Sequence, residues 1–360
     1  MLTFFLSCMQ HNTDSAQSTS APIWTEYNAQ ESGPFHVGHI QYTHTYTPIS
    51  QGEPREIVID IWYPTTNEEG EPAQYLYGSD PLAIEDAEVA PSVYEGGYPI
   101  HIHSHGYRGW GATSAFLMRH FASHGWIAIA PNHTNNLLGD HVSPLPISHF
   151  IHRPLDLQES LTVLSSLSQF EDLQIHNVLM SGHSFGAGYS AWATAGASYD
   201  QVETMCETGA GLEDENMRCT AEEKEMFLSG TLHDSRVQAI VPMAGTVRTS
   251  FFGDTGHSGV SIPILFASGT DDGQDAAVEH AQKMAALDFR WLSLEGGCHQ
   301  AFALGQCELL DTDTGFAILS SYILAFGRAQ ILHEENPLFD SWLNGTVKPY
   351  PEGTLTIPEE

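Results

Sequence analysis

The chain has 360 residues, and its 45 acidic against 12 basic side chains give a formal charge of −33. Such a charge repels nucleic acid and anionic lipid surfaces at long range, so neither is an expected partner. The apolar and aromatic shares are ordinary for a folded protein and the length suits one large domain or two, which excludes a mainly disordered chain.

The N-terminus combines an apolar run, "MLTFFLSC", with a polar stretch, "MQHNTDSAQSTS". We interpret residues 1–25 as the remnant of a bacterial lipoprotein signal followed by a flexible linker, with Cys8 as the lipidated residue. This interpretation predicts a secreted, periplasmic or outer-membrane protein that Cys8 attaches to the membrane.

After this segment the chain alternates between strand and helix patterns. Residues 36–47 and 56–64 have strand periodicity, whereas residues 65–97 are acidic, rich in proline and glycine, and predicted to be irregular. Further strands are predicted at "YPIHIHSHG", "WIAIAPNH", "NVLMSGHS", "VQAIVPMAG", "IPILFASGT" and "FRWLSLEGG". Helices are predicted at "TSAFLMRHFASHG", "PLDLQESLTVLSSLSQF", "AGYSAWATAGAS", "AAVEHAQKMAALD" and "GFAILSSYILAFGRAQIL". Apolar strands that alternate with helices predict a mostly parallel sheet with helices on both faces.

We therefore expect one α/β domain over residues 26–330, followed by a tail over 331–360. Residues 199–236 interrupt the alternation as an acidic insertion, which is either a surface excursion or a lid over a pocket. Four cysteines remain besides Cys8, and they allow three disulfide connectivities. Our hypothesis is the pairing with the shortest loops, which joins Cys206 to Cys219 and Cys298 to Cys307.

The segment "MSGHSFGAG" contains the pattern G-x-S-x-G, with Ser184 at its centre. An apolar strand precedes it and a helix rich in small residues follows, which is the context that a nucleophile elbow requires. Glycines are needed there because the turn is tight and strained. The pattern predicts Ser184 as a catalytic nucleophile, with His183 beside it as a structural partner or a border of the substrate site.

A nucleophilic serine needs a base and an acid that orients the base. After an elbow of this kind the acid comes next along the chain, and the histidine follows. Asp271, Asp272 and Asp275 lie just after the predicted strand "IPILFASG". His299 is the first histidine after the last predicted strand, and it is the candidate base.

Three histidines alternate in "HIHSHGYRGW", residues 101–110, and then run into a glycine-rich turn. A zinc site would need His101 and His103 to face an open position with a further ligand. Because they lie in an apolar strand, packed and hydrogen-bonded histidines are the preferred interpretation, and no metal is expected. An acyl-transfer site needs two backbone N–H donors for an oxyanion. The turn after this strand predicts the Tyr107 amide as one donor, and the residue after the nucleophile, Phe185, supplies the other.

The segments "GPFHVG", "IDIWYP", "SHGYRG", "GHSFGAG" and "GGCHQAF" resemble α/β-hydrolases of the group that contains platelet-activating-factor acetylhydrolase-like and dienelactone-hydrolase-like esterases, with the polyester-degrading cutinases as relatives. The resemblance implies the α/β-hydrolase fold and the nucleophile, base and oxyanion donors named above. In cutinases the last residue of a G-x-x-D turn is the acid, which selects Asp272 in "GTDD". Tyr107 and Trp110 are expected to line the cleft.

Together these features predict a serine carboxylic-ester hydrolase that acts on short-chain acyl esters through an acyl-enzyme and without a cofactor. A phospholipid acyl hydrolase and a cutinase-like polyester hydrolase are the alternative activities. A histidine-bound zinc hydrolase and a lipid-binding lipoprotein with a vestigial triad are the rival classes.

Overall fold

The computed structural model describes residues 23–357, apart from positions 51, 171, 209–217, 246, 274–286 and 288. Cys8, Asp275 and the helix predicted over 276–288 lie outside the described residues. Within them, the chain forms eleven strands that belong to one sheet.

The strands are β1 His36–Tyr46, β2 Arg55–Thr65, β3 Pro72–Tyr75, β4 Gly78–Glu85, β5 Tyr98–Ser104, β6 Ile127–Asn132, β7 Leu173–His183, β8 Val237–Met243, β9 Ile264–Gly269, β10 Phe289–Leu294 and β11 Gly353–Thr356. The α-helices of the described ranges are α1 Ala115–Ser123, α2 Ser148–Leu164, α3 Ala191–Thr194, α4 Val202–Thr208, α5 Ala221–Leu228, α6 Thr249–Phe252, α7 Thr312–Ile331 and α8 Pro337–Leu343.

The sheet has the strand order β11-β10-β9-β8-β7-β5-β6-β2-β1-β4-β3. All neighbours from β6 to β10 are parallel, whereas β2 is antiparallel to β6 and β1, and β11 is antiparallel to β10. One apolar core contains side chains of α2 and α3, and a second contains side chains of α1 and α7. The predicted α/β fold, with a mostly parallel sheet between helical layers, is confirmed.

The prediction that residues 65–97 are irregular is wrong, because β3 and β4 form an antiparallel hairpin there and β4 pairs with β1. Acidic residues disfavour a strand unless they are compensated. Asp80 of β4 is buried, accepts a hydrogen bond from Tyr75 at 2.7 Å and forms an ion pair with Arg119 of α1. That partner is distant in sequence, so local composition does not reveal the strand.

The helix predicted to begin at Pro154 begins instead at Ser148, so the proline lies inside α2. Proline has no N–H to donate to the carbonyl four residues earlier, which belongs to Phe150. The Tyr189 hydroxyl donates to that carbonyl at 2.6 Å. A tertiary contact thus satisfies the acceptor that the proline leaves open.

Residues 331–360, expected only as a tail, add α8 and the edge strand β11 to the domain. Arg328 of α7 is buried, pairs with Glu334 and donates to the carbonyl oxygens of Trp24 and Tyr27. The described ends of the chain therefore meet at this guanidinium. None of the helices in the described ranges is long and apolar enough to cross a bilayer.

Histidines are unusually numerous in the interior. Burial lowers the pKa of nine of them. They are His101, His103, His105, His120, His124, His133, His149, His152 and His183. Because the folded state holds these rings neutral, it binds fewer protons than the unfolded chain at mildly acidic pH.

We expect the free energy of unfolding to fall on going from about pH 7.5 to about pH 5.5. Each histidine whose folded pKa is depressed stabilises the fold above pH 6.5 and loses roughly 1.4 kcal/mol of that contribution one unit lower. With nine such groups the total loss is on the order of 10 kcal/mol. Urea unfolding at both pH values measures the difference, and equal or greater stability at the lower pH contradicts the prediction.

Candidate active site

The nucleophile candidate Ser184 lies at the end of β7 in a left-handed backbone conformation, with φ of 54°. Its amide donates to the Met243 carbonyl of β8 at 2.9 Å, and its carbonyl accepts from the Gly188 amide at 2.8 Å. A π-helical turn, Gly186–Ser190, follows and leads into α3. The serine is only partly buried. This strained strand-to-helix turn has the geometry of a nucleophile elbow.

Two glycines allow neighbouring strands to approach the elbow. A Cβ on Gly186 would lie 2.0 Å from the Ser104 carbonyl oxygen at the end of β5. A Cβ on Gly245, just after β8, would lie 2.4 Å from the Ser184 carbonyl oxygen. Gly186 of the sequence pattern is therefore required by a contact across the sheet as well as by the turn, and Gly245 is required by the approach of the segment after β8.

The acid and base candidates are in contact. Nδ1 of His299 lies 2.9 and 3.0 Å from the two carboxylate oxygens of Asp272. The side chain of Asp272 is 19% exposed and that of His299 is 44% exposed, so the imidazole reaches the surface of the site. With Nδ1–H donated to the carboxylate, Nε2 is left to accept a proton.

Asp271 does not share this contact, because its side chain is exposed and its amide donates to the Gly297 carbonyl at 2.8 Å. That bond ties the turn after β9 to the turn after β10. The two turns also touch directly, since a Cβ on Gly269 would lie 2.0 Å from the Gly297 carbonyl oxygen. Their proximity positions Asp272 beside His299.

His183 connects the elbow to the His299 segment. Its Nε2 donates to the His299 carbonyl at 2.9 Å, and the two imidazole rings are 4.8 Å apart. Burial lowers the pKa of His183 to about 3, so the ring stays neutral. The sequence predicted this residue beside the nucleophile, and the structure shows that it supports the base loop.

The loop after β5 passes against the elbow. A Cβ on Gly106 would lie 3.2 Å from the Ser184 Cβ and 3.0 Å from His183 Nδ1. Tyr107 follows Gly106 and its side chain is 44% exposed. Phe185 is buried, and its ring lies between the guanidinium carbons of Arg153 at 4.4 Å and Arg248 at 4.9 Å. The two residues predicted as oxyanion donors thus flank the serine.

Trp110 is partly exposed next to this loop and packs edge-on against Tyr77, with ring centroids 5.1 Å apart. Tyr77 lies in the turn of the β3–β4 hairpin, and its hydroxyl accepts from the Gly139 amide at 2.8 Å. No sequence pattern indicated Tyr77, because its partners Trp110 and Gly139 come from segments that are remote along the chain. The aromatic pair of Tyr77 and Trp110 therefore lies beside the loop that contains Gly106 and Tyr107.

The alternating histidines that precede the loop are internal. His101 Nε2 and His103 Nδ1 both contact the Ser181 hydroxyl, at 2.7 and 2.8 Å. Both rings are fully buried, and burial lowers their pKa. His133 contacts Ser104 and Asp156 in the same interior. In the part of the chain that the structure describes, no group of histidine, cysteine or acidic side chains has an arrangement that would hold a metal ion.

Both short-loop disulfides are present. Cys298 and Cys307 bracket the segment that carries His299, and Cys206 and Cys219 join α4 to the region before α5. The described part of the 199–236 insertion packs into the core, where Met205, Met226 and Phe227 are buried. Its interpretation as a lid stays a prediction.

These features define the class of the protein. A mostly parallel sheet with a serine on a strained elbow, and with the candidate acid and base on the turns after later strands, is the α/β-hydrolase fold.

Comparisons with known proteins agree with this class. Residues 79–204 match the family model for chlorophyllase, a range that includes the Tyr107 loop and the elbow. The fold is similar to the solved structure of a ferulic acid esterase from Streptomyces cinnamoneus, with a TM-score of 0.64 and 18% sequence identity over 91% of this chain and 98% of that chain. No curated protein matches the sequence. The family match and the fold point to a carboxylic ester hydrolase.

We expect Gly186→Ala to lower the stability by about 2–4 kcal/mol and to reduce esterase activity, because its Cβ would collide with backbone and force β5 away from the elbow. Gly259→Ala is the matched control, since nothing lies within 4 Å of a Cβ at that position. The control is expected to stay within about 0.5 kcal/mol of the unmodified protein. Equal unfolding midpoints for the two variants would show that the close approach carries no energetic cost.

Proposed function

We propose that the protein is a serine carboxylic-ester hydrolase of short-chain acyl esters, with Ser184, His299 and Asp272 as its triad. The observation that carries the proposal is the Asp272–His299 contact on turns that lie beside the Ser184 elbow. A partly buried acid that holds Nδ1–H of a histidine, next to a strained serine, is the arrangement that activates a hydroxyl for acyl transfer.

In the proposed reaction the Ser184 hydroxyl oxygen attacks the ester carbonyl while His299 Nε2 takes its proton. The negative charge on the carbonyl oxygen is received by the amides of Tyr107 and Phe185. His299 then gives the proton to the leaving alcohol, which departs as the acyl-enzyme forms. Water repeats the sequence and releases the acid. Asp272 holds the imidazole orientation and stabilises the imidazolium throughout. No cofactor or metal takes part.

The substrate class rests on the surroundings of the loop. Tyr107, Trp110 and Tyr77 form a partly exposed aromatic border, which suits an uncharged organic ester. The net charge of −33 disfavours approach to anionic lipid surfaces. Short acyl esters are therefore the preferred substrate class, and phospholipids and polyesters remain the alternatives.

We propose in addition that the protein is exported, either secreted or held at the membrane through Cys8. Two disulfides support this location, because such bonds persist in oxidising compartments.

The first test is hydrolysis of p-nitrophenyl esters from acetate to palmitate by the unmodified protein and by Ser184→Ala. The variant lacks the nucleophile, so we expect its rate to fall by a factor of at least roughly 10³. Highest activity on acetate or butyrate supports a short-chain esterase, whereas a maximum at palmitate favours a lipid substrate. An unaffected alanine variant, or inactivation of the unmodified protein by a chelator, contradicts the serine mechanism.

The neighbouring aspartates provide a matched test of the acid. We expect Asp272→Asn to lower kcat by roughly 10³–10⁴-fold, because the imidazole loses the acceptor that fixes its tautomer. Asp271→Asn makes the same chemical change one residue earlier and is expected to stay within about threefold of the unmodified enzyme. Steady-state kinetics on one short ester measures both. A larger loss of kcat for Asp271→Asn than for Asp272→Asn would show that Asp271, and not Asp272, is the acid.

A further inference from the structure

The Gly106–Tyr107 peptide of the oxyanion loop is held by donors on its carbonyl side. The Gly106 carbonyl oxygen accepts from His105 Nδ1 at 2.7 Å and from the Gly109 amide at 3.0 Å. This carbonyl and the Tyr107 N–H belong to the same planar peptide group. Fixing the carbonyl therefore fixes the direction of the N–H, and hydrogen bonds accepted by the oxygen make the N–H a stronger donor.

The hydrogen bonds of His105 define its tautomer. The His133 amide donates to His105 Nε2 at 3.1 Å, so this nitrogen is an acceptor and carries no proton. The proton of the neutral ring is then on Nδ1, where it is donated to Gly106. Burial, together with the nearby Arg153 cation, lowers the pKa of His105 well below its ordinary value. The ring therefore keeps this single tautomer at neutral pH.

Arg153 of α2 holds the same loop from below. Its guanidinium donates to the His105 carbonyl and, at 3.0 Å, to the Ser104 hydroxyl. The side chain is fully buried, and its Nε and Nη1 have no hydrogen-bond partner. A buried arginine with open donors lowers the stability of the fold. A role in function would explain why such a residue is present.

The charge of Arg153 is not neutralised by an ion pair within the described residues. The nearby carboxylate, Asp156, is engaged by Arg55 at 2.7 Å and by His133 at 2.8 Å. Arg55, Arg153 and Asp156 together therefore carry one excess positive charge, although the whole chain is strongly acidic. Burial lowers the pKa of Arg153, but the guanidinium keeps its proton at neutral pH because the ordinary pKa of arginine is so high. A positive charge in a low-dielectric region beneath the loop favours negative charge on its outer side.

We propose that His105 is a positioning residue that orients and polarises the Tyr107 amide for the oxyanion, and that Arg153 supports it by holding the loop and supplying a buried positive charge. The proposal rests on the proposed function, in which that amide receives the oxyanion. His105 touches neither substrate nor nucleophile, and it acts through the peptide plane.

The test compares His105→Leu, which removes the donor to Gly106, with His105→Asn, whose side-chain amide is able to donate at the position of Nδ1. His101→Leu is the matched control, since His101 lies on β5 four residues before His105, is equally buried and has Ser181 as its side-chain hydrogen-bond partner. We expect His105→Leu to lower kcat by roughly 30–300-fold with KM within about threefold. His105→Asn is expected to recover most of this loss, and His101→Leu to keep kcat within about threefold.

Affinity for a boronic acid inhibitor, which forms a tetrahedral adduct with the serine, gives a second readout. The adduct is expected to weaken in His105→Leu by the same factor as kcat/KM. A role in stability alone would lower the unfolding midpoint without this parallel loss. Unchanged kcat and inhibitor affinity in folded His105→Leu, or an equal loss in His101→Leu, would overturn the proposal.

Arg153→Met keeps the proposal testable if His105→Leu does not fold. Arg153→Met removes a buried charge, which favours stability, and the hydrogen bonds to the His105 carbonyl and the Ser104 hydroxyl, which opposes it, so we expect only a small change in the unfolding midpoint. We expect kcat to fall by at least about tenfold. Full activity in Arg153→Met would overturn the role of the charge.

If the unmodified protein hydrolyses no ester, or Ser184→Ala stays active, the proposed function fails. If activity depends on Ser184 and is indifferent to both His105 and Arg153, this inference alone fails.

Discussion

The close approach of three parallel strand ends at Ser184 is the constraint on which the rest of the structure depends. The serine carbonyl and amide are both bonded, and Gly186 and Gly245 leave no room for a side chain between the elbow and its neighbours. Because β5, β7 and β8 meet there, the loops that follow them converge on one point. The Gly106–Tyr107 loop contacts the elbow there, and the His299 loop after β10 is joined to the elbow by the hydrogen bond from His183 to the His299 carbonyl. A methyl group at Gly186 would push β5 away from the elbow and separate these loops.

Charge is distributed unevenly in this molecule. The chain as a whole is strongly acidic, yet the interior beneath the oxyanion loop contains neutral histidines and an arginine without a carboxylate partner among the described residues. The net charge of the chain is negative, whereas the excess charge of the interior beneath this loop is positive. Low dielectric makes the inner charge effective at short range, and salt screens the outer charge. The negative charge of the surface therefore does not cancel the effect of the buried positive charge at the site.

The triad candidates were found in the sequence because each one lies at the end of a strand in a fixed chain order. Ser184 is marked by its glycines, and His299 by its position after the last predicted strand. Residue type could not separate Asp271 from Asp272, and the resemblance to known esterases made that choice. His105 and Arg153 carry no such signal, because their roles depend on hydrogen bonds between β5, β6 and α2. Tyr77 was missed for the same reason, since its hairpin is stabilised by the Asp80–Arg119 pair.

The sequence by itself determined the alternation of strands and helices and the elbow, because these depend on residues that are close together in the chain, whereas the short disulfide loops were one hypothesis among three connectivities. Backbone strain at a glycine-flanked serine and the periodicity of apolar residues are local properties. Only the tertiary structure decided which carboxylate meets His299, which tautomer His105 adopts and how α2 accommodates Pro154. Each of these depends on a hydrogen bond between segments that are distant in sequence. A local sequence pattern does not show which distant groups will come into contact.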